Sequence, residues 1–76
     1  MIDSQTTLLL IIVYAGLSKR QHQIARMLIL GASAKEIALK LSLSYRTVET
    51  HINNIKQKLN CHKRSELITH LHQIGV

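Results

Sequence analysis

The chain has 76 residues, and its ten lysines and arginines outweigh four acids to give a net charge of +6 and a pI near 10.0. A single domain of this length has no room for a large buried active site, and a lone cysteine, Cys61, excludes an internal disulfide and fits a reducing compartment. The basic excess points to a polyanion, nucleic acid or an acidic membrane surface, while two tyrosines with no tryptophan or phenylalanine argue against stacking single strands on exposed rings.

Residues 1–16 form an apolar N-terminal extension. Leu8 to Ala15 is an unbroken apolar run, too short to span a bilayer and without the basic flank of a secretion signal. Asp3 or Ser4 is placed to cap a short helix that Gly16 ends, but the β-branched Ile11, Ile12 and Val13 keep a strand open. In either form the segment has no polar face. It is expected either to cover the domain's own core or to serve as a self-association surface.

From Leu17 the punctuation is regular. Ser18 and Gln21 have the spacing of a capping box, which predicts a helix from about Lys19 to Leu30 with Ile24, Met27 and Leu28 inward. Gly31 can turn the chain out at positive φ. Ser33 and Glu36 repeat the box and open a short helix to Leu41, with Ile37, Ala38 and Leu41 inward and Ala38 small enough for a close helix crossing. After a short turn, Ser44 is placed to cap a helix over about 45–59. There Val48, Ile52, Ile55 and Leu59 fall on one stripe at about 100° per residue. Arg46, Thr50, Asn53 and Gln57 gather opposite, with Glu49 beside them, Thr47, His51 and Lys58 on one flank, and Lys56 on the other. A polar crest with cationic flanks suits a helix lying in a major groove. Two helices joined by so few residues make a helix-turn-helix signature. Arg64 to about Ile74 is a last helix, with Leu67, Leu71 and Ile74 facing the core; Ile68, with His72 nearby, lies either toward the side, open to another subunit, or in the core with the other three. The class is all-α.

These residues resemble the LuxR/FixJ-type (GerE-like) DNA-binding domain. The resemblance runs without a gap over residues 17–76, through Leu17-Ser18-Lys19-Arg20-Gln21, Gly31 to Ala38, and most specifically Thr47-Val48-Glu49-Thr50-His51-Ile52 with Asn54-Ile55-Lys56 and Lys58-Leu59. It implies a compact four-helix bundle, sequence-specific binding of double-stranded DNA in bacterial transcription control, and pairing of two copies through the last helix. Departures are Gln21 for the usual glutamate, Ala34 for an asparagine, Lys63 where a serine usually caps the last helix, and Glu49 where a lysine is common.

Carried over by position, the resemblance assigns base reading to Arg46, Glu49, Thr50 and Asn53. It assigns backbone contact to Ser33, Lys35, Tyr45, Thr47, His51, Lys56 and Lys58, and a dimer contact to Ile68 with His72. His51 has a second reading, as a structural histidine bonding between helices, and Ser33 a competing one as a cap. The expected partners are duplex DNA, a second copy on paired half-sites with weak or no pairing in free solution, and RNA polymerase or another regulator, with no membrane. No cofactor is expected. Only Asp3, Glu36, Glu49 and Glu66 are acidic and no Ser/His/Asp set is apparent, so the chain is not expected to be an enzyme. Cys61 and His62 with His70 and His72 lack the paired spacing of a zinc site. A cytoplasmic, free-standing or excised regulator domain follows. The alternatives are an interaction module that pairs with a fuller regulator of this type and, fitting the register less well, the DNA-contacting region of a sigma factor.

Overall fold

The computed structural model describes residues 4–75, in five helices with no strand among them. They are α1 (Ser4–Ala15), α2 (Lys19–Ile29), α3 (Ala34–Leu41), α4 (Tyr45–Lys58) and α5 (Arg64–Gln73). The extension is therefore a helix. Asp3, one of the two residues read as its cap, lies outside the described residues.

Three of the helix starts are made by serine. In α2 the Gln21 amide donates to Ser18 Oγ (3.1 Å) and the Ser18 amide donates to Gln21 Oε1 (3.2 Å). In α3 the same reciprocal pair joins Glu36 to Ser33 (3.2 and 2.9 Å). In α4 the Thr47 amide donates to Ser44 Oγ (3.0 Å). Each satisfies donors that the first helical turn leaves without partners. Lys63 precedes α5 and makes no side-chain cap.

The ends of α2, α3 and α4 also follow one pattern. Past α2, Gly31 takes a φ of 91° while the Ala32 amide donates to Met27 O and the Gly31 amide to Leu28 O, both at 3.0 Å. That is a Schellman closure, in which a left-handed residue turns two amides back onto the last carbonyls. Ser42 (φ 55°) and Asn60 (φ 56°) close α3 and α4 the same way. Asparagine visits this region readily, whereas serine adopts it at a backbone cost of about 1–2 kcal/mol. The turn between α3 and α4 is thus only Ser42, Leu43 and Ser44.

The core is the meeting of four stripes: Ile24 and Leu28 from α2, Ile37 and Ala38 from α3, Val48, Ile52 and Ile55 from α4, and Leu67 and Leu71 from α5, closed by Leu59. Met27, Leu41 and Ile74, expected inward, are half-buried at its edge. Leu30, expected to finish α2, is its C-cap and lies exposed. Polar contacts lock the last helix. Arg64 Nη2 donates to the Ala32 carbonyl (3.2 Å), and the Cys61 thiol lies 2.9 Å from His70 Nδ1. Burial, with the Glu66 charge adding to it, pushes the Cys61 pKa up, so the sulfur stays a protonated thiol. Toward α1, Leu10 is buried, and Val13 and Tyr14 pack against the core. The His22 ring donates from Nε2 to the Tyr14 carbonyl, and the two rings lie 4.6 Å apart.

Candidate nucleic-acid interface

The polar crest of α4 can be built from its inner face outward. Val48 and Ile55 are wholly buried and Ile52 nearly so, because they lie within one narrow arc against α2 and α3. At 3.6 residues per turn, that burial turns Arg46, Thr50, Asn53 and Gln57 to the other side. All four are exposed. Glu49 and Lys56 sit nearer the docked stripe on one edge, His51 on the other, and these three are half-buried. Tyr45, Thr47 and Lys58 are exposed.

Local bonds set what these groups can offer. Thr50 Oγ1 donates back to the Arg46 carbonyl (3.0 Å), which uses its proton within the helix and leaves the methyl outward. Thr47 Oγ1 accepts from Ser44 Oγ (2.8 Å), so the first turn of α4 is held rigid. Lys58 Nζ reaches Gln21 Oε1 of α2 (3.4 Å), which ties that flank to the scaffold. His51 Nδ1 is buried with no hydrogen-bond partner. At the start of α3, Ser33 Oγ accepts from the Glu36 amide, so its cap role is real while its hydroxyl proton stays free to donate. Lys35 beside it is exposed. On α5, Ile68 is half-buried and stands outside the set packed on the core, and His72 is exposed.

The structure adds groups that the sequence pattern did not single out. Lys19, Arg20, His22, Gln23 and Arg26 line an open hollow of about 680 Å³ on α2, a second cationic surface away from the crest of α4. Its signal was available, since residues 19, 22, 23 and 26 share one helix side. The Arg64 bond to Ala32 and the Lys58 bond to Gln21 had no such signal, because each joins residues more than thirty positions apart. Among the described residues no cluster of three or more His, Cys, Asp or Glu is arranged for a metal ion, and no helix is long and apolar enough to cross a membrane.

A short helix closed by a three-residue turn onto a longer one, with an exposed polar crest, is the architecture of helix-turn-helix DNA-binding proteins. The sequence profile of the bacterial regulatory proteins of the luxR family matches residues 15–71, and the chain belongs to that family. It is 37% identical over 59 residues to the spore germination protein GerE of Bacillus subtilis, covering 78% of this chain and 80% of that one. It is 43% identical over 60 residues to the uncharacterized response regulatory protein YgeK of Escherichia coli, and 52% identical over 52 residues to the fimbriae Z protein of the same species. Those matches cover 79% and 68% of this chain but 41% and 25% of the two relatives, so it spans a minor part of their length. The family is one of transcriptional regulators that bind DNA, not of enzymes.

Proposed function

We propose that the protein binds specific double-stranded DNA sites through α4 laid in the major groove, as two copies on paired half-sites, in bacterial transcription control. The observation that carries this reading is the joint exposure of Arg46, Thr50 and Asn53 directly opposite the buried stripe of α4. Arg46 can pair with guanine, Asn53 with adenine, Glu49 can accept from a cytosine amino group, and the outward Thr50 methyl fits beside that of thymine. Ser33, Lys35, Tyr45, Thr47, His51, Lys56 and Lys58 surround that crest with phosphate-binding groups. Two copies then meet through Ile68 and His72 of α5, and twofold pairing selects inverted half-sites.

Selection of preferred sites from random duplexes, followed by two variants, tests this. Asn53→Ala should cost roughly 1–3 kcal/mol on the preferred site and relax the preference at one position. Lys56→Ala should weaken binding to all sequences evenly and reduce the salt slope by about one. Equal losses on specific and random DNA for Asn53→Ala would remove that residue from the base-reading set.

A further inference from the structure

The free face of α1 serves neither the core nor the crest of α4. Leu10, Val13 and Tyr14 hold the helix to the domain from one side. Around the rest of its circumference Leu8, Leu9, Ile11 and Ile12 remain 57%, 59%, 43% and 59% exposed. Four aliphatic side chains so open on adjoining turns amount to an apolar patch on the order of 400 Å², the size at which a monomer's largest patch is often functional. The matched family region begins at residue 15, so this helix is almost wholly outside it.

Charge narrows what can cover the patch. No residue from Ser4 to Ser18 is charged. An acidic membrane surface attracts helices whose polar side carries lysine or arginine, and α1 has neither. The net charge of +6 opposes the approach of two copies over most of the surface. Along α1 they can touch without bringing like charges together. Area points to the same occupant. Alone, the patch falls short of the roughly 800 Å² per partner that a stable dimer buries. It does not end at α1, however. Ile11 and Tyr14 border a hollow of about 400 Å³ whose other walls are Arg26, Ile74 and Gly75, so a partly apolar surface with one cation at its edge joins α1 to the C-terminal end of α5. Ile74 and Gly75 close the C-terminal end of α5, the helix that carries Ile68 and His72.

We infer that Leu8, Leu9, Ile11 and Ile12 pack against the same face of a second copy of this chain, extending the α5 contact into one twofold interface that pairs the protein in free solution. The α5 part of that interface rests on the pairing proposed above; the α1 part stands on its own exposure and lack of charge.

Sedimentation of the 76-residue chain without DNA, across micromolar to millimolar concentrations, tests the inference. The expected result is a reversible dimer. Leu8→Gln combined with Ile12→Gln should weaken self-association by roughly a hundredfold or more, since four apolar contacts are lost per dimer. Affinity for a single half-site should be unchanged. Glutamine keeps helix propensity at both exposed positions, and circular dichroism checks the fold. Leu9→Lys, which sets like charges against each other across the contact, is a second variant expected to dissociate the dimer. A wild-type chain that remains monomeric throughout overturns the inference whatever the variants do. So does a monomer that binds vesicles of anionic phospholipid and loses them in the variants, because the face then belongs to a membrane surface. Ile68→Glu in parallel separates the two proposals. If it alone abolishes joint occupation of two half-sites while the α1 variants sediment as wild type, the α5 contact stands and the α1 contact falls. If only the α1 variants dissociate the protein, the α1 contact stands without α5.

Discussion

Helices α4 and α1 are of similar length, 14 and 12 residues, and are held to the domain in opposite ways. α4 divides its chemistry by direction: Val48, Ile52 and Ile55 are buried, while Arg46, Thr50 and Asn53 face solvent. Only one rotation about its axis satisfies both sides, so burial of the stripe also aims the crest. α1 is apolar around most of its circumference, and among its described side chains Leu10 alone is buried in the core. Its composition permits many rotations, and whichever one is taken leaves aliphatic surface in water. An amphipathic helix carries its own orientation; a uniformly apolar one needs neighbours on several sides to be satisfied.

The largest expected effect measures this contrast directly. Ile55→Ala removes methyl and methylene groups from a wholly buried site and should destabilise the domain by about 2–5 kcal/mol. For a domain of this size each kcal/mol lowers Tm by roughly 4–8 °C. Leu9→Ala, at a position 59% exposed, should change stability by no more than about 0.5 kcal/mol in protein dilute enough to be unpaired. Urea unfolding of both variants compares them. Equal costs would make α1 part of the core, and its free face would need another explanation.

Helix starts sharpen the comparison at a smaller scale. Ser44 fixes where α4 begins, and Ser44→Ala should cost about 1 kcal/mol through loss of the bond from the Thr47 amide. α5 begins at Arg64 after Lys63, which makes no side-chain cap, so Lys63→Ser should gain stability, by about 0.5–1 kcal/mol. Thermal unfolding of the two variants should therefore shift in opposite directions. A Lys63→Ser variant no more stable than the parent would mean that the Arg64 bond to Ala32 already holds that helix start as firmly as a cap does.

The domain from α2 to α5 was largely legible because its signals are local. Serine with glutamine or glutamate three residues on, glycine after an apolar run, and apolar residues at helical spacing each act within one or two turns. Burial then followed for Ile24, Leu28, Ile37, Val48, Ile55, Leu67 and Leu71. Ser42 and Asn60 were harder, since a left-handed serine gives no compositional warning. α1 remained open between helix and strand because β-branched residues without periodicity carry no directional information. The half-burial of Glu49, Lys56 and His51 is a matter of degree, set by how deeply α4 seats against its neighbours. Contacts such as Cys61 with His70, or His22 with the Tyr14 carbonyl, depend on how helices cross, and no short window of residues holds that.

The smallest effect separates a helix start that responds to acid from a helix that does not. Glu36 accepts the Ser33 amide at 2.9 Å, and its own amide donates to Ser33 Oγ. The backbone bond first, then the side-chain bond, with the Lys40 charge adding to both, hold its carboxyl pKa below the ordinary carboxylate value. The folded state thus prefers Glu36 ionised. Its contribution to stability is complete above the unfolded-state pKa and is lost as pH falls through the lower, folded-state one. α1 contains no acid, base or histidine. Ser33→Ala should therefore cost less stability in acid than at neutral pH, whereas the effect of Leu9→Ala should stay constant over the same range. Glu36→Gln keeps an acceptor for the Ser33 amide but no ionisable group, so in that background the cost of Ser33→Ala should lose its pH dependence. Thermal unfolding from neutral to acid pH for the two single variants and the double variant tests this. A Ser33→Ala cost independent of pH would mean that the Ser33 hydroxyl does not favour the ionised Glu36, and that the backbone bond from residue 33 with the Lys40 charge alone holds its pKa down.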